Sequence, residues 1–268
     1  MAIITLDQAL QGMQYPREII KAASGTLVAG RPHTQFYTAG IPGAGAASAA
    51  GINGEILTAP VAGQIGFTNP VSGNSYLARL QAMCTQAGSL LLIDRIWANS
   101  GVDRTLTTLQ AITTPTLPAR DSNGLTTGTG VFAAVEVTVG MGTGIPIITL
   151  AYTNTAGQPK TAINIVAVPA SSIAGSFYPI ALAAGDVGVQ AITGITFSTS
   201  WGTAGALSVV LYRIIARLEL TGGNVPNAID CLTGGFPRIF DDSVLTTVFI
   251  PNTTTTSNIM GHIIVSQG

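Results

Sequence analysis

Charge is what this chain has least of. Lys, Arg, Asp and Glu make up 9% of its 268 residues, against roughly a quarter in ordinary soluble domains. The polar surface is left to Thr, Ser, Asn and Gln. Such a surface repels its neighbours weakly, so a free monomer is prone to associate. The formal net charge is −1, and no Lys/Arg cluster occurs, which leaves no electrostatic footprint for nucleic acid. Lysine is nearly missing too: Lys21 and Lys160 stand against nine Arg. Interfaces favour Arg over Lys. Mutational bias in a G+C-rich source gives the same pattern, and both readings stand.

Cysteine and histidine are equally scarce. Cys84 and Cys231 make neither a disulfide framework nor a zinc site, and Cys84, in a strand-like run, reads as a buried thiol. His33 and His262 are the only histidines. Neither has a carboxylate nearby in sequence, and no Gly-x-Ser-x-Gly elbow is present to supply a nucleophile. Asp241 and Asp242 are adjacent, and on a strand they point to opposite faces and do not chelate together. Gly43 to Ser48 faintly matches a dinucleotide loop but lacks the following helix and reads as flexible chain. These absences predict a protein that is not an enzyme and needs no cofactor and no metal. No signal peptide is visible, since the amphipathic N-terminus is interrupted by Gly12 and Pro16. Residues 161–185 and 187–212 are uncharged but strand-patterned and rich in Ser and Thr or broken by Pro, so no membrane association is expected.

What is present is alternation. Val131, Ala133, Val135, Val137 and Val139 recur at every second position, the period of a strand. Gly-rich turns separate this run from Ile145–Thr153 and, after the Asn154–Lys160 turn, from Thr161–Val168, which together predict a meander. Tyr76–Thr85 and Ser89–Ala98 read as a hairpin across Gln86-Ala87-Gly88. Further strands are predicted over 104–114, 176–182, 189–198 and 207–220, with a closing pair at 244–250 and 259–265. Asp121-Ser122-Asn123-Gly124 is an Asx-type turn. Helical crossovers are missing, so the sheets are expected to be antiparallel, and a jelly-roll-like β-sandwich is the predicted class.

The N-terminus differs in texture. Thr5-Leu6-Asp7-Gln8 is a capping box, and Leu6, Ala9, Leu10 and Met13 share one helical face. Pro16 either ends this helix or starts another reaching Ala22. Gly and Pro punctuate residues 27–66, and a segment so long with little regular structure usually signals an arm or functional loop. Residues 1–50 are therefore read as an arm lying on a neighbouring subunit, and 51–268 as the sandwich domain.

The stretches MAIITLDQALQGMQYPREIIKAASGTLVAGRP, AYTNTAGQPKTA and GNVPNAIDCLTGGFPRIFDD resemble virion structural proteins of tailed bacteriophages, of the capsid decoration or cement type. The resemblance implies a protein on the capsid exterior, made in the bacterial host cytoplasm, with the major capsid protein and further copies of itself, a trimer favoured, as partners. A tail, fibre or carbohydrate-binding receptor component is the competing reading. Candidate assembly contacts are Leu6, Leu10, Met13, Arg17, Phe36 and Tyr37 in the arm. Two Asp-Arg steps, Asp94-Arg95 and Asp103-Arg104, flank one turn and add a candidate intersubunit ion-pair network.

Overall fold

A computed structural model describes residues 5–22, 25–164 and 168–268. In chain order they form α1 (Leu6–Gln11), β1 (Arg17–Lys21), β2 (His33–Thr34), β3 (Gly40–Ile41), β4 (Glu55–Ile56), β5 (Ser75–Cys84), β6 (Gly88–Asn99), β7 (Gln110–Ala111), β8 (Val131–Val139), β9 (Ile148–Asn154) and β10 (Pro159–Asn164). There follow β11 (Phe177–Ala181), β12 (Val189–Phe197), β13 (Ala206–Leu220), β14 (Asn227–Asp230), α2 (Cys231–Gly234), β15 (Arg238–Ile239), β16 (Val244–Pro251) and β17 (Ile259–Gln267). The pairings between these strands are antiparallel. A small sheet runs β14-β5-β17-β1-β3, with β15 also on β5. A large sheet runs β2-β16-β6-β13-β8-β11-β10-β9-β12-β7, with β4 on β6.

Packing shows how these sheets become a sandwich. Ala133, Val135 and Val137 of β8 and Leu207, Val209 and Leu211 of β13 share one core with Leu150 and Tyr152 of β9 and Ile192 and Ile195 of β12. The large sheet therefore curls until its two halves face each other. A second core joins Ile19, Leu80, Ile259 and Ile263 of the small sheet to Leu90, Leu92, Leu218 and Phe249 of the large one. On the opposite face of the large sheet, Ile93, Ala98, Ala134, Val210 and Val248 pack with Leu57 and Phe177. Strands β6 and β13 thus lie buried on both faces over most of their length, which is why their sequences read as near-continuous apolar runs.

The antiparallel sandwich predicted from the alternations is what the chain forms, and α1 begins as its capping box predicts: the Gln8 amide donates to Thr5 Oγ1 and the Thr5 amide to Gln8 Oε1, both at 3.2 Å. Several pairings differ. β5 and β6 are not a hairpin; residues 85–87 carry the chain from the small sheet to the large one. β16 and β17 likewise part between the sheets instead of closing on each other. β8 pairs with β11 and β13, so only β9 and β10 of the predicted meander form a hairpin. Its turn is held by Asn154 Oδ1, which accepts from the amides of Ala156 and Gln158. Residues 165–167 of the third predicted run lie outside the described residues. Of residues 104–114, only Gln110–Ala111 pairs as strand. Residues 17–21 are a strand and no second helix: Ile19 and Lys21 turn inward while Glu18 and Ile20 face out.

The arm expected over residues 1–50 also changes place. From Arg17 onward it is built into the body of its own chain. β1 sits between β17 and β3, and His33–Thr34 pairs with Val248–Phe249. Phe36 is buried, and Lys21 Nζ donates to the carbonyls of Thr38 and Pro42 at 2.8 and 2.6 Å. Gly40 makes the β1–β3 contact at φ +139°, where a Cβ would stand 1.9 Å from the Ile20 carbonyl oxygen. The described residues of 17–45 carry apolar and hydrogen-bonding groups that engage the chain's own two sheets. Only α1 and its neighbours keep the character of an arm.

His33 reports on this packing. It is buried, its Nε2 accepts from the Val28 amide at 3.2 Å, and burial together with the nearby Arg31 charge lowers its pKa to about 4. The folded state keeps His33 neutral while the unfolded chain takes up the proton below about 6.5. Stability from this group is complete above pH 6.5 and is lost as pH falls towards 4, by about 3 kcal/mol in all. Urea unfolding at pH 7 and pH 4.5 is expected to show this loss, and His33→Gln, which keeps an acceptor for Val28, is expected to flatten it.

Candidate assembly surface

The solvent face of the small sheet carries a row of apolar side chains and few charges. Cross-strand register aligns Ile41, Ile20, Met260 and Met83 in one row across β3, β1, β17 and β5. Ile41, Ile20 and Met260 are exposed and Met83 half-exposed. A shallow groove of about 410 Å³ opens beside the row, lined by Pro16, Ile20, Met83, Pro226 and Met260 among others. At the far end of β17, α1 is tethered through the Ser266 hydroxyl, which donates to the Ala9 carbonyl at 2.9 Å. The helix buries no residue at all. Leu6, Leu10 and Met13 remain 74%, 53% and 43% exposed, and Tyr15, just beyond, 88%.

The residues singled out from sequence divide sharply. Leu6, Leu10 and Met13 lie on this open surface, and half-buried Arg17 borders it on β1. Phe36, Tyr37, Asp94 and Arg95 do not: they are interior, and the sequence reading of them as assembly contacts is corrected. Arg95 makes a two-pronged ion pair with Glu136 at 2.6 and 2.7 Å, both side chains fully buried. Tyr37 Oη donates to the same carboxylate at 2.5 Å, and the Phe36 ring lies 4.2 Å from the Arg95 guanidinium. Burial and the adjacent carboxylate hold the Tyr37 phenol well above its ordinary pKa. Asp94, on the other face of β6, accepts from Ser243 Oγ at 2.8 Å and the Val244 amide at 2.9 Å, with Arg213 at 3.7 Å and Arg120 at 3.9 Å. Asp103 and Arg104 join neither cluster. Asp103 caps the turn at Thr105, and Arg104 donates to the carbonyls of Thr203 and Ala204. The predicted network of two Asp-Arg steps therefore does not exist: alternation along β6 sends Asp94 and Arg95 to opposite sides of the sheet, and Asp103 and Arg104 lie beyond β6 in a loop with partners of their own.

Sequence reading missed Ile20, Ile41 and Met260. Their signal was present: Ile20 alternates with the buried Ile19, and Met260 with Ile259. It was hidden by reading residues 17–22 as helix or arm. Of the aromatic residues that a carbohydrate-binding reading would place in an open groove, the tryptophans are interior. Trp97 and Trp201 are fully buried. A polar cleft of about 540 Å³ on another side is lined by Arg120, Asn123, Arg238, Phe240, Asp241 and Asp242. The Phe240 ring there already has guanidinium groups of Arg213 and Arg238 over it, at 4.8 and 4.7 Å. Among the described residues no three His, Cys, Asp or Glu side chains converge to hold a metal ion. Among the described residues no helix is long and apolar enough to cross a membrane.

Burial makes the surface poorer in charge than composition suggests. Lys21, Arg31, Asp94, Arg95, Arg120, Asp121, Glu136 and Arg213 are all interior, eight of a chain total of 11 basic and 12 acidic residues. Removing one partner of such a buried pair leaves the other charge uncompensated, at a cost of about 3–5 kcal/mol. Glu136→Gln is therefore expected to lower the unfolding free energy by about that amount, read from denaturant midpoints. Tyr37→Phe, which leaves the ion pair intact but removes one hydrogen bond to its carboxylate, is expected to cost less, about 1.5–3 kcal/mol.

No family model matches the chain, and no curated protein is similar to it at a significant level. Among solved structures it aligns with two of infectious bursal disease virus. The Gt strain shows 12% identity over 95% of this chain and 82% of that one, with a TM-score of 0.15. The Gx strain shows 12% identity over 95% and 81%, with a TM-score of 0.16. The infectious bursal disease virus VP2 subviral particle aligns at 10% identity over 96% and 82%, again with a TM-score of 0.16. TM-scores this low carry no argument about fold or function.

Proposed function

We propose that this protein is a non-enzymatic structural component of a virion, a decoration or cement protein that binds the outside of a capsid shell and clamps neighbouring capsomers. The observation that carries this reading is α1: a capped amphipathic helix, tethered to a rigid sheet, whose apolar side chains are all left in solvent. A helix of six residues is marginal by itself in water, and an apolar ridge of this kind gains stability when a partner covers it. The scarcity of surface charge, and the resemblance of the N-terminal, central and C-terminal stretches to tailed-bacteriophage virion proteins, point the same way. The surroundings of the two histidines favour the absence of catalysis. His33 is buried and neutral with its Nε2 occupied by a backbone amide, and His262 lies in register between Glu18 and Gln81.

Leu6→Ser combined with Leu10→Ser tests the reading. Both side chains are exposed, so the melting temperature is expected to stay nearly unchanged, within the roughly ±0.5 kcal/mol of ordinary surface substitutions. Binding to shells of the source particle, followed by co-sedimentation, is expected to fall at least tenfold. Equal binding by the variant removes the helix from the contact. Electron microscopy of those particles is expected to show the protein at regular positions on the shell; confinement to the tail replaces this reading with the tail or fibre one. Removing residues 1–13 is expected to leave the sandwich folded, whereas removing 1–50 also takes β1, β2 and β3 and is expected to unfold it.

A further inference from the structure

We infer that the outer face of the small sheet is a self-association surface, in which the α1 ridge of one copy seats in the groove beside Ile20, Met83 and Met260 of a second copy. The inference rests on the assembly reading above and names a partner for that same surface.

The surface carries both halves of a contact. The ridge is Leu6 and Leu10, one helical turn apart, extended by Met13 and Tyr15. The groove is lined by Pro16, Ile20, Met83, Pro226 and Met260, with Glu18, Gln81 and His262 among its polar residues. Ridge and groove lie at opposite ends of one strand: α1 is held at Ser266, and Met260 is six residues away along β17, roughly 20 Å at strand rise. A foreign partner requires only one of these features. A second copy turned end for end uses both, placing each ridge over the other copy's groove in one self-complementary contact.

Size and charge fit the same occupant. The exposed parts of Leu6, Leu10, Met13, Tyr15, Ile20 and Met260, with Ile41 and Tyr76 alongside, amount to roughly the 800 Å² that each partner brings to a stable interface. The face and its helix carry few charges, and they are of both signs: Glu18, Arg79 and Asp230 on the sheet and Asp7 on α1 are exposed. With a formal net charge of −1 per chain, two copies meet without strong repulsion.

The test uses the full chain at tens of micromolar in sedimentation equilibrium, with two single variants, Leu10→Asp on the ridge and Met260→Lys in the groove. The wild type is expected to associate, and each variant is expected to weaken association at least tenfold with its melting temperature unchanged. In a Cys231→Ser background, chains carrying Leu10→Cys mixed with chains carrying Met260→Cys are expected to form covalent heterodimers with a short bismaleimide. Chains carrying Val187→Cys, at an exposed position whose carbonyl accepts from the Gly130 amide just before β8 of the large sheet, are expected not to do so with Met260→Cys. A wild type that stays monomeric, an association that neither substitution weakens, or cross-links that ignore position overturns the inference. Shell binding measured on the same variants separates this from the broader reading. A monomer that still binds shells through α1 refutes self-association alone. An oligomer that never binds shells leaves the self-contact standing and refutes the shell role.

Discussion

Consecutive residues of a strand face opposite ways, and at Asp94-Arg95 both directions lead into the interior. Burying either charge alone is expensive, so each face has to supply a partner already in position. On one side Arg95 reaches across β13 to Glu136 of β8. On the other, Asp94 takes the Ser243 hydroxyl and the Val244 amide at the head of β16, with Arg213 and Arg120 close by. A slip of one residue in β6 exchanges the two faces, bringing Arg95 to the arginines and Asp94 to Glu136. The charges thereby fix the register of four neighbouring strands, β16, β6, β13 and β8, more sharply than their interchangeable Val, Leu and Ile side chains do.

The same constraint explains why most of the N-terminal segment is not an arm. The Arg95–Glu136 pair lies on the face of the large sheet that the small sheet does not cover. It has to be sealed from water by something else, and Phe36 and Tyr37 seal it: one ring stacks on the guanidinium and the other donates to the carboxylate. Holding those two residues in place commits the chain on either side, β2 just before them to the edge of the large sheet and β3 just after them to β1 of the small one. The commitment ends where the demand ends. Among the described residues before Pro16, 12–14 are held to β17 by backbone hydrogen bonds, and α1 is left with Leu6 and Leu10 outward.

This division sets what sequence alone could reveal. Local chemistry was legible: the Thr5 capping box, the Asn154 and Asp121 turns, the long alternation of β8 and the extent of β13 all follow from neighbours in sequence. Partners were not. An apolar run such as Leu90–Ile93 declares that a strand is buried on both faces but says nothing of which strands flank it. Treating adjacent strands as hairpins put β5 with β6 and β16 with β17, although each of these connections crosses from one sheet to the other. The candidate site divided in the same way. Leu6, Leu10 and Met13 were found by helical period, a local signal. Phe36, Tyr37, Asp94 and Arg95 were misplaced because aromatic and charged residues in a low-charge chain look like contact residues until their partners, Glu136 and Arg213, 41 and 119 positions further on, are brought beside them.

The result is an inversion of the usual arrangement. A substantial share of the charge lies inside, where it fixes register, and the outer surface of the small sheet keeps only Glu18, Arg79 and Asp230 as exposed charges among apolar side chains and neutral polar groups. A body ordered by buried ion pairs needs few surface charges for its own integrity, and it does not need α1. The helix is thus free of structural duty at the point where the surface is least able to repel a neighbour. A contact formed there draws its free energy from apolar area removed from water, and its geometry comes from a sheet whose register is already locked. Rigidity of that kind lowers the entropy cost of association, so a ridge of two leucines on a fixed sheet can hold a partner more firmly than the same two leucines on a mobile arm.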